Sequence, residues 1–378
     1  MKGLGSARVE VANEVGMARL VDTFKVDITK ACKRVRMGLG FPSPKYRSTQ
    51  EIIGASMSAK TIQNIAVIGL GTIGHSVVQM FAVSGCYVRC FDPSSSVRDG
   101  LENRIRDNLN QMVDADLFIK GDIETALAKI TVCDTEKEAL VGAEFVSEAA
   151  SEELGLKQTL FSRMEKSVDA ETILASNTST HPMTDIARLM QHPDRAIVTH
   201  PFNPPHIIPV VEVVPGEHTS EQTIEVATSL LRRVGKQPVR LNKELPGFLV
   251  NRIQMAMIRE IWDLLDQEVA TAEDIDLAVQ GSLGFRLAGL GPLKVCDFAG
   301  VDLWAQVFSN LADEITSTNK LSKGVRTLVE RGDYGTKSGR GFFDYSAPGV
   351  LEAQVTARDR GFLEVLKLFH QQPMPTEN

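Results

Sequence analysis

The chain has 378 residues, of which 43% are hydrophobic and 24% charged, as expected for a globular protein of two or three domains. Its net charge of −7 argues against a nucleic acid or a membrane surface as the main partner. It also lacks the long apolar run that predicts a membrane span. The five cysteines include no C-x-x-C pair, which favours structural thiols in a reducing, cytoplasmic compartment.

Residues 1–60 carry a different charge from the rest of the chain, with 11 Lys and Arg against 5 Asp and Glu. A mitochondrial presequence is basic but poor in acidic residues, and Glu10, Glu14, Asp22 and Asp27 do not fit that pattern. Alternatively, the protein starts at Met57 and the segment before it is a weakly ordered extension. Both alternatives stay open, so a mitochondrial location is an alternative to a cytoplasmic one.

Strands alternate with helices from residue 61 to about residue 245. The helix GTIGHSVVQMFAVSG follows the first strand, and residues 95–130 are charged and helical in pattern. The strand candidates are NIAVIGL, YVRCFD, a stretch near 130–133, EFVSEAA, TILASNT, AIVTH and VVEVV. This alternation predicts an α/β fold with a Rossmann-type, doubly wound parallel sheet.

From Pro246 the sequence changes to long helices. The segment GFLVNRIQMAMIREIWDLLDQEVA has one broad apolar face, and Thr271 precedes Asp274 as a variant of the capping box. We therefore place a boundary near residue 245. The predicted organisation is an N-terminal extension (1–60), a Rossmann domain (61–245), an all-α domain (246–346) and a C-terminal helical tail (347–378).

A glycine-rich turn joins the first strand to the first helix. It has the pattern G-x-G-x-x-G, in which the glycines permit a tight turn, the approach of a pyrophosphate and close packing of helix and strand. Asp92 ends the next strand, where a carboxylate accepts from a ribose 2′-hydroxyl and repels a 2′-phosphate. The sequence thus predicts NAD as cofactor, bound by Asp92 and by the turn residues Gly69, Gly71, Thr72, Ile73 and Gly74.

Seven motifs in order between residues 62 and 346 carry a family resemblance. They are GLGTIGHS, EAASEELGLK, ASNTST, HPFNPP with VVEVV, PGFLVNR, GLGPLKVCDFAGVD and GTKSGRGFFDY. The chain resembles the L-3-hydroxyacyl-CoA dehydrogenase family, which includes the lambda-crystallin-type L-gulonate dehydrogenases and the carnitine dehydrogenases. The resemblance implies a homodimer and an NAD-dependent interconversion of an (S)-3-hydroxyacyl substrate and its 3-oxo form.

The resemblance also assigns site residues. It makes His200 the catalytic histidine and Glu212 its partner, which would explain why a lone carboxylate stands in the apolar strand VVEVV. Ser179 and Asn251 match substrate-binding positions, and Asn203 matches a residue that orders the active site. The positions that contact the ribose and nicotinamide end of NAD are Glu152, Lys157 and Asn177. The other histidines lack ligand-like spacing, so no metal is predicted.

Substrate motifs point in two directions. The prolines of PFNPPHIIPVVEV resemble the gulonate and carnitine branches, and the acidic segment NLNQMVDADLFIKGD gives the phosphates of coenzyme A little help. In contrast, GTKSGRGFFDY resembles the acyl-CoA enzymes. A dehydrogenase of a small free 3-hydroxy acid, of the L-gulonate or carnitine type, is therefore the alternative to a 3-hydroxyacyl-CoA enzyme of fatty acid metabolism.

Two other protein classes share parts of the pattern. A 6-phosphogluconate or hydroxyisobutyrate dehydrogenase would need a catalytic lysine in PGFLVNRIQMA, where none stands. A non-catalytic NAD-binding protein would need none of Ser179, His200, Glu212 and Asn251, yet all four are present. Their presence makes an active enzyme the better interpretation. The fold alone could not decide between the two classes, since a fold does not specify function.

Overall fold

A computed structural model describes residues 61–371, so the predictions for the N-terminal extension and for residues 372–378 lie outside the described residues. The strands are β1 (Asn64–Ile68), β2 (Tyr87–Phe91), β3 (Ile130–Val132), β4 (Phe145–Glu148), β5 (Ile173–Ser176), β6 (Ala196–Pro201), β7 (Val210–Pro215) and β8 (Gln237–Arg240).

Helices surround and follow these strands. Those between the strands are α1 (Gly74–Val83), α2 (Ser95–Asp99), α3 (Leu101–Asp114), α4 (Ile123–Leu127), α5 (Glu136–Leu140), α6 (Leu154–Glu165), α7 (Met183–Ile186) and α8 (Glu221–Arg233). Those after β8 are α9 (Val250–Asp266), α10 (Ala272–Ala278), α11 (Phe285–Gly289), α12 (Pro292–Ala299), α13 (Val301–Leu311), α14 (Lys323–Arg331) and α15 (Val350–Gln371). A π-helical turn, Val279–Gly284, joins α10 to α11.

The eight strands form one sheet in the order β3-β2-β1-β4-β5-β6-β7-β8. Every neighbouring pair from β3 to β6 is parallel. The chain reverses its direction of winding between β1 and β4, which is where ligands of doubly wound sheets bind, beyond the carboxyl ends of the strands. The predicted fold class, a doubly wound sheet followed by helices, is confirmed.

The last two strands depart from the predicted parallel direction. β7 pairs antiparallel with β6, and β8 is parallel to β7. The connection from Pro201 to Val210 is too short for the crossover of a dozen or more residues that parallel neighbours require, so the chain must turn back. This reversal sets the register in which His200 lies directly opposite Glu212.

Side chains of β1 alternate between two cores on the two faces of the sheet. Ile65 and Val67 pack in the core that contains Phe81 of α1. Ala66 and Ile68 pack in the core that contains Phe161 of α6. Because helices cover both faces, the strand is almost continuously apolar, as parallel strands are. The two cores fix the strand ends from which the functional side chains project.

The helical region begins with α9, and Thr271 caps α10 by accepting a hydrogen bond from the backbone N–H of Asp274, as predicted. The tail helix α15 returns to the sheet, where Leu363 and Leu366 are buried in the same core as Phe81. Within residues 61–371, no helix has the length and apolar content needed to span a membrane.

Candidate active site

The glycine-rich turn follows β1 and has room for a ligand at one glycine only. A Cβ on Gly69 would lie 2.5 Å from the carbonyl oxygen of Ala149, and one on Gly74 would lie 1.9 Å from the carbonyl oxygen of Gly69. Gly69 also has a φ of 95°, which few other residues adopt. A Cβ on Gly71, in contrast, would meet nothing within 4 Å. The turn is thus tightly packed at its ends and open at its centre, which fits the approach of a pyrophosphate.

Asp92 follows β2 beside this turn. Its carboxylate accepts hydrogen bonds from the backbone N–H groups of Leu70, at 2.8 Å, and Ser94, at 2.9 Å. The neighbouring Arg98 donates to the carbonyl oxygen of Asp92 at 2.7 Å. The carboxylate is therefore held next to the glycine-rich turn, which is where dinucleotide-binding folds place a ribose-binding carboxylate.

Replacing Asp92 by Ala is expected to raise the ratio of NADP to NAD turnover, because the carboxylate that repels a 2′-phosphate is removed. The half-buried side chain lies at a strand end, so the variant should still fold. Steady-state kinetics with both cofactors measure the ratio, and Asp99→Ala in α2 is the control. Equal turnover of NAD and NADP by the unmodified protein would contradict the assignment.

His200 and Glu212, which the resemblance assigns as a catalytic pair, lie in direct contact, and their catalytic role stays a prediction. The Nδ1 atom of His200 lies 2.7 Å from Oε2 of Glu212, which is completely buried. An ionised carboxylate only accepts hydrogen bonds, so Nδ1 carries the proton and Nε2 carries the lone pair. The rings of Phe202 and Phe248 flank the imidazole at 4.7 and 5.6 Å between centroids. The ring is thereby held in one orientation with a basic nitrogen available.

The second oxygen of Glu212 reaches the helical region. Oε1 accepts from the backbone N–H groups of Leu249, at 3.1 Å, and Val250, at 2.8 Å, at the start of α9. A carboxylate at a helix N-terminus satisfies N–H groups that have no partner within the helix and interacts favourably with the helix dipole. Glu212 is therefore paired on both oxygens, which accounts for a charged group in an apolar strand.

Ser179 and Asn251 also come together. The Asn251 side chain, in the first turn of α9, donates from Nδ2 to the carbonyl oxygen of Ser179 at 3.1 Å. The turn after β5 is held by Glu152, whose Oε1 accepts from Thr178 Oγ1 at 2.6 Å, from Ser179 N at 2.9 Å and from Thr180 N at 3.1 Å. The placement of Ser179 thus depends on the carboxylate of Glu152 and on the Asn251 side chain.

The carboxylate of Glu152 is in turn held by a buried ion pair. Lys157 is 1% exposed, and its ammonium lies 2.8 Å from Glu148 Oε1 and 3.2 Å from Glu152 Oε2. Glu148 also accepts from Ser176 Oγ at 2.6 Å. Sequence reasoning missed Glu148 and Ser176, although both stand inside motifs that it used, EAASEELGLK and ASNTST. The role of Lys157 as a direct cofactor contact stays a prediction.

The hydrogen bonds to Glu152 shift its titration. Burial by itself would raise its pKa, but the hydrogen bond from Thr178, the charge of Lys157 and the bonds from Ser179 and Thr180 outweigh burial and lower the pKa to about 2. The carboxylate is therefore ionised throughout the neutral range and can hold the Ser179 turn there.

We expect Glu152→Gln to lower turnover and to lower the melting temperature at pH 7. The Gln oxygen can accept the same hydrogen bonds from the Ser179 turn, but it lacks the negative charge that strengthens them. A depressed folded-state pKa contributes stability above the unfolded value of 4.5, and this stability is lost as the pH falls towards 2. The difference in melting temperature between variant and unmodified protein should therefore shrink over that window. Thermal unfolding at several pH values measures it, with the exposed neighbour Glu153→Gln as control; a constant difference down to pH 2 would refute the assignment.

The remaining predicted residues lie around the same strand ends. Asn177 follows β5 and donates from Nδ2 to Ser147 Oγ at 2.9 Å and to the carbonyl oxygen of Glu148 at 2.8 Å. Asn203 is exposed in the connection between β6 and β7. Thr72 and Ile73 stand immediately before α1, with Thr72 exposed. Roles for these residues in binding stay predictions.

The fold is a doubly wound sheet. Its strand ends carry an open glycine turn, a carboxylate after the second strand and a histidine–glutamate pair. These features together define the class of NAD-dependent oxidoreductases. The 3-hydroxyacyl-CoA dehydrogenase NAD-binding domain matches residues 64–245, and the C-terminal domain of the same family matches residues 247–345. The chain therefore belongs to the 3-hydroxyacyl-CoA dehydrogenase family, and the predicted resemblance and the predicted cofactor are confirmed.

Several characterised proteins are similar to the chain. The lambda-crystallin homolog of Bos taurus is 37% identical over 243 residues, 64% of this chain and 75% of the relative. L-Carnitine dehydrogenase of Streptomyces coelicolor is 33% identical over 318 residues, 82% of this chain and 96% of the relative. The crystal structure of 5-formyl-3-hydroxy-2-methylpyridine 4-carboxylic acid 5-dehydrogenase, an NAD⁺-dependent dismutase, matches with a TM-score of 0.77 and 29% identity, covering 82% of this chain and all of that one.

Proposed function

We propose that the protein oxidises the hydroxyl group of a small free 3-hydroxy acid to a ketone, with His200 as the general base. The 2.7 Å hydrogen bond between His200 Nδ1 and Glu212 carries this proposal. It leaves Nε2 as the basic atom at the carboxyl end of β6, on the same edge of the sheet as the glycine-rich turn that follows β1. Oxidation of an alcohol requires such a base, because the hydroxyl proton must leave as hydride is transferred.

The roles of the chain's own residues follow from their contacts. Nε2 of His200 takes the hydroxyl proton, and the carboxylate of Glu212 stabilises the imidazolium that results. We assign Ser179 and Asn251 to hydrogen bonds with the substrate oxygens, and Asn203 to ordering the loop beside them. In the reverse direction, the imidazolium returns the proton to the alkoxide oxygen.

The cofactor site is assigned to the residues that fit a dinucleotide. The open space at Gly71 receives the pyrophosphate at the N-terminus of α1, and Asp92 accepts from the adenosine ribose. Thr72 and Ile73 line the approach between Gly69 and Gly74. Glu152, Lys157 and Asn177 are assigned to the nicotinamide end, where Lys157 would act through Glu152 because its ammonium is buried. When bound, NAD⁺ supplies a hydride acceptor.

Two observations support a free acid as substrate. L-Carnitine dehydrogenase and the pyridine carboxylic acid dehydrogenase, which are named for small free acids, each align with 82% of the chain. In α3, Arg106 is paired with Glu102 and Glu124, and Arg104 donates to three backbone carbonyl groups. Both guanidinium groups are thus already hydrogen-bonded within the chain, whereas the phosphates of coenzyme A need cationic partners.

A CoA thioester is the second candidate. The segment GTKSGRGFFDY and the match of both family domains favour it. In that case the reaction at His200 is the same, but the C1 carbonyl of the substrate carries coenzyme A where the free acid carries an oxygen.

Formation of NADH by the purified protein distinguishes the candidates. The substrates are L-gulonate, L-carnitine, free (S)-3-hydroxybutyrate and (S)-3-hydroxybutyryl-CoA. We expect one of the free acids to give the highest kcat/KM. A higher kcat/KM with the CoA thioester would establish the second candidate. Absence of NADH binding would overturn the oxidoreductase assignment itself.

We also propose that the protein is a homodimer formed through its helical region. Large apolar side chains there are exposed, among them Phe285 at 79%, Leu293 at 80% and Phe298 at 81%. The predicted apolar face of α9 is exposed as well, at Leu249, Ile253 and Met257. Exposed apolar surface of this density is typical of a subunit interface.

A further inference from the structure

Two histidines and a serine connect the glycine-rich turn to the loop between β6 and β7. His75 Nδ1 lies 2.9 Å from the carbonyl oxygen of Gly71, and His75 Nε2 lies 3.2 Å from Ser76 Oγ. Ser76 Oγ lies 3.0 Å from Nδ1 of His206. Ser76 is 1% exposed, so its hydroxyl is shared between the two rings rather than with bulk water.

The hydrogen bond between His75 and Gly71 determines where the protons lie in this series of hydrogen bonds. A carbonyl oxygen only accepts, so His75 Nδ1 carries the hydrogen that points to Gly71. In a neutral ring, His75 Nε2 is then an acceptor, and the Ser76 hydroxyl donates to it. The serine oxygen retains only lone pairs, so His206 Nδ1 donates to Ser76. With His75 neutral, this is the arrangement in which all three hydrogen bonds form, and His206 donates from Nδ1.

The surroundings keep both rings neutral. Burial lowers the pKa of His206 to about 3, with further lowering by the nearby charges of His75, Lys236 and Arg358. Burial likewise lowers the pKa of His75, more than its bond to Gly71 raises it, and the charge of Arg104 adds to the lowering. The hydrogen bonds from His75 through Ser76 to His206 therefore keep the same donors and acceptors at neutral pH.

The loop that carries His206 is anchored on its other side. The ammonium of Lys236, next to β8, donates to the carbonyl oxygens of Pro205 at 2.6 Å and Ile208 at 2.9 Å. These two carbonyls lie on either side of His206 along the chain. The loop also bears Asn203 and joins the strands of His200 and Glu212. A displacement of His206 would thus move the loop that leads out of the catalytic strand.

We propose that Ser76 and His206 are positioning residues, which hold the loop after His200 in a fixed place relative to the phosphate-binding turn. This proposal rests on the proposed function, because Ser76 and His206 contact neither cofactor nor substrate and can affect only the reaction assigned to His200. They act on the reaction through His200 and Asn203. Small displacements of catalytic groups can lower rates by as much as about 10²-fold.

The experiment compares the full-length protein with His206→Leu, His206→Asn, Ser76→Ala and the double variant Ser76→Ala/His206→Leu. The control is His218→Leu, an exposed histidine after β7. NADH affinity is measured by fluorescence titration, and kcat/KM with the best of the four substrates given above. We expect kcat/KM to fall roughly 10-fold in His206→Leu and Ser76→Ala, with NADH affinity unchanged.

Two further results are expected. His206→Asn should recover most of the rate, because its Nδ2 can donate from the place of Nδ1. The double variant should lose little more than either single variant, since the two residues form one unit. Equal losses in His206→Asn and His206→Leu, multiplying losses, or a parallel fall in NADH affinity would each overturn the proposal.

A measurement without substrate separates this proposal from the proposed function. Nitrogen-15 spectra of the histidine rings report which ring nitrogen carries the proton. We expect His75 and His206 to carry it on Nδ1, and both signals to move in Ser76→Ala. A proton on Nε2 of His206 instead of Nδ1 would disprove this series of hydrogen bonds even if the enzyme is active. The protein could also bind NADH and show these proton positions but oxidise none of the substrates. That result would overturn both the proposed reaction and the role of Ser76 and His206 in it.

Discussion

Replacing His200 by Gln is expected to lower turnover by at least about 10²-fold, the low end for loss of a general base. The glutamine side chain has no basic nitrogen, so the alcohol proton would have to leave to water. NADH binding should persist, because the glycine turn and Asp92 lie on other strands. Turnover and NADH titration together measure the two effects. The control is His192→Gln, which changes an exposed histidine in the same way.

Glu212→Gln should be nearly as harmful. A Gln oxygen can still accept from Leu249 and Val250, but its amide group would then face Nδ1 of His200 as a donor. The imidazole would have to move its proton to Nε2 and would no longer be a base. The double variant should lose little more than either single one, because members of one catalytic unit are not additive. A His200→Gln enzyme with a near-normal rate would show that another group is the base.

The second large effect separates two glycines of the same turn. Gly74→Ala should destabilise the protein by about 3 kcal/mol or more, because the new Cβ would lie 1.9 Å from the carbonyl oxygen of Gly69 and backbone atoms must shift. Gly71→Ala should leave the free energy of unfolding almost unchanged, since nothing lies within 4 Å of the new methyl group. It should nevertheless weaken NADH binding, because the methyl group occupies the space assigned to the pyrophosphate.

Denaturant unfolding and NADH titration measure these two effects on each variant. The control is Gly155→Ala in α6, where a Cβ also meets nothing within 4 Å and alanine favours the helix. If Gly71→Ala binds NADH normally, the pyrophosphate does not approach the turn at this position. If Gly74→Ala is as stable as the unmodified protein, the packing of α1 on β1 does not require a glycine.

The sequence predicted the features that depend on local pattern. Parallel strands buried on both faces leave continuous apolar runs, so β1 and β4 to β6 could be located, and the lone Glu212 among valines indicated a partner. β8 was missed because QPVR is short and contains a proline, which is unusual inside a strand. The antiparallel direction of β7 was not predicted either, although the short loop from Pro201 to Val210 contains the reason.

The support beneath Ser179 could not be predicted from spacing. Glu148 and Glu152 lie in one motif, but only the pairing of β4 with β5 brings Ser176 to the first, and only the turn after β5 brings Thr178 to the second. The chain Gly71–His75–Ser76–His206 likewise joins residues 130 positions apart. Contacts of this kind depend on tertiary packing, which local pattern does not encode.

The carboxylate of Glu212 holds the His200 ring with one oxygen and accepts from the first N–H groups of α9 with the other. A hinge motion that carried α9 away from the sheet would therefore remove two donors from a buried anion and disturb the base at the same moment. Asn251, in the same helical turn, would also leave Ser179. The position of the start of α9 and the orientation of the His200 ring are thus coupled through one carboxylate, so a substitution that displaces this helix end should lower turnover even without touching His200.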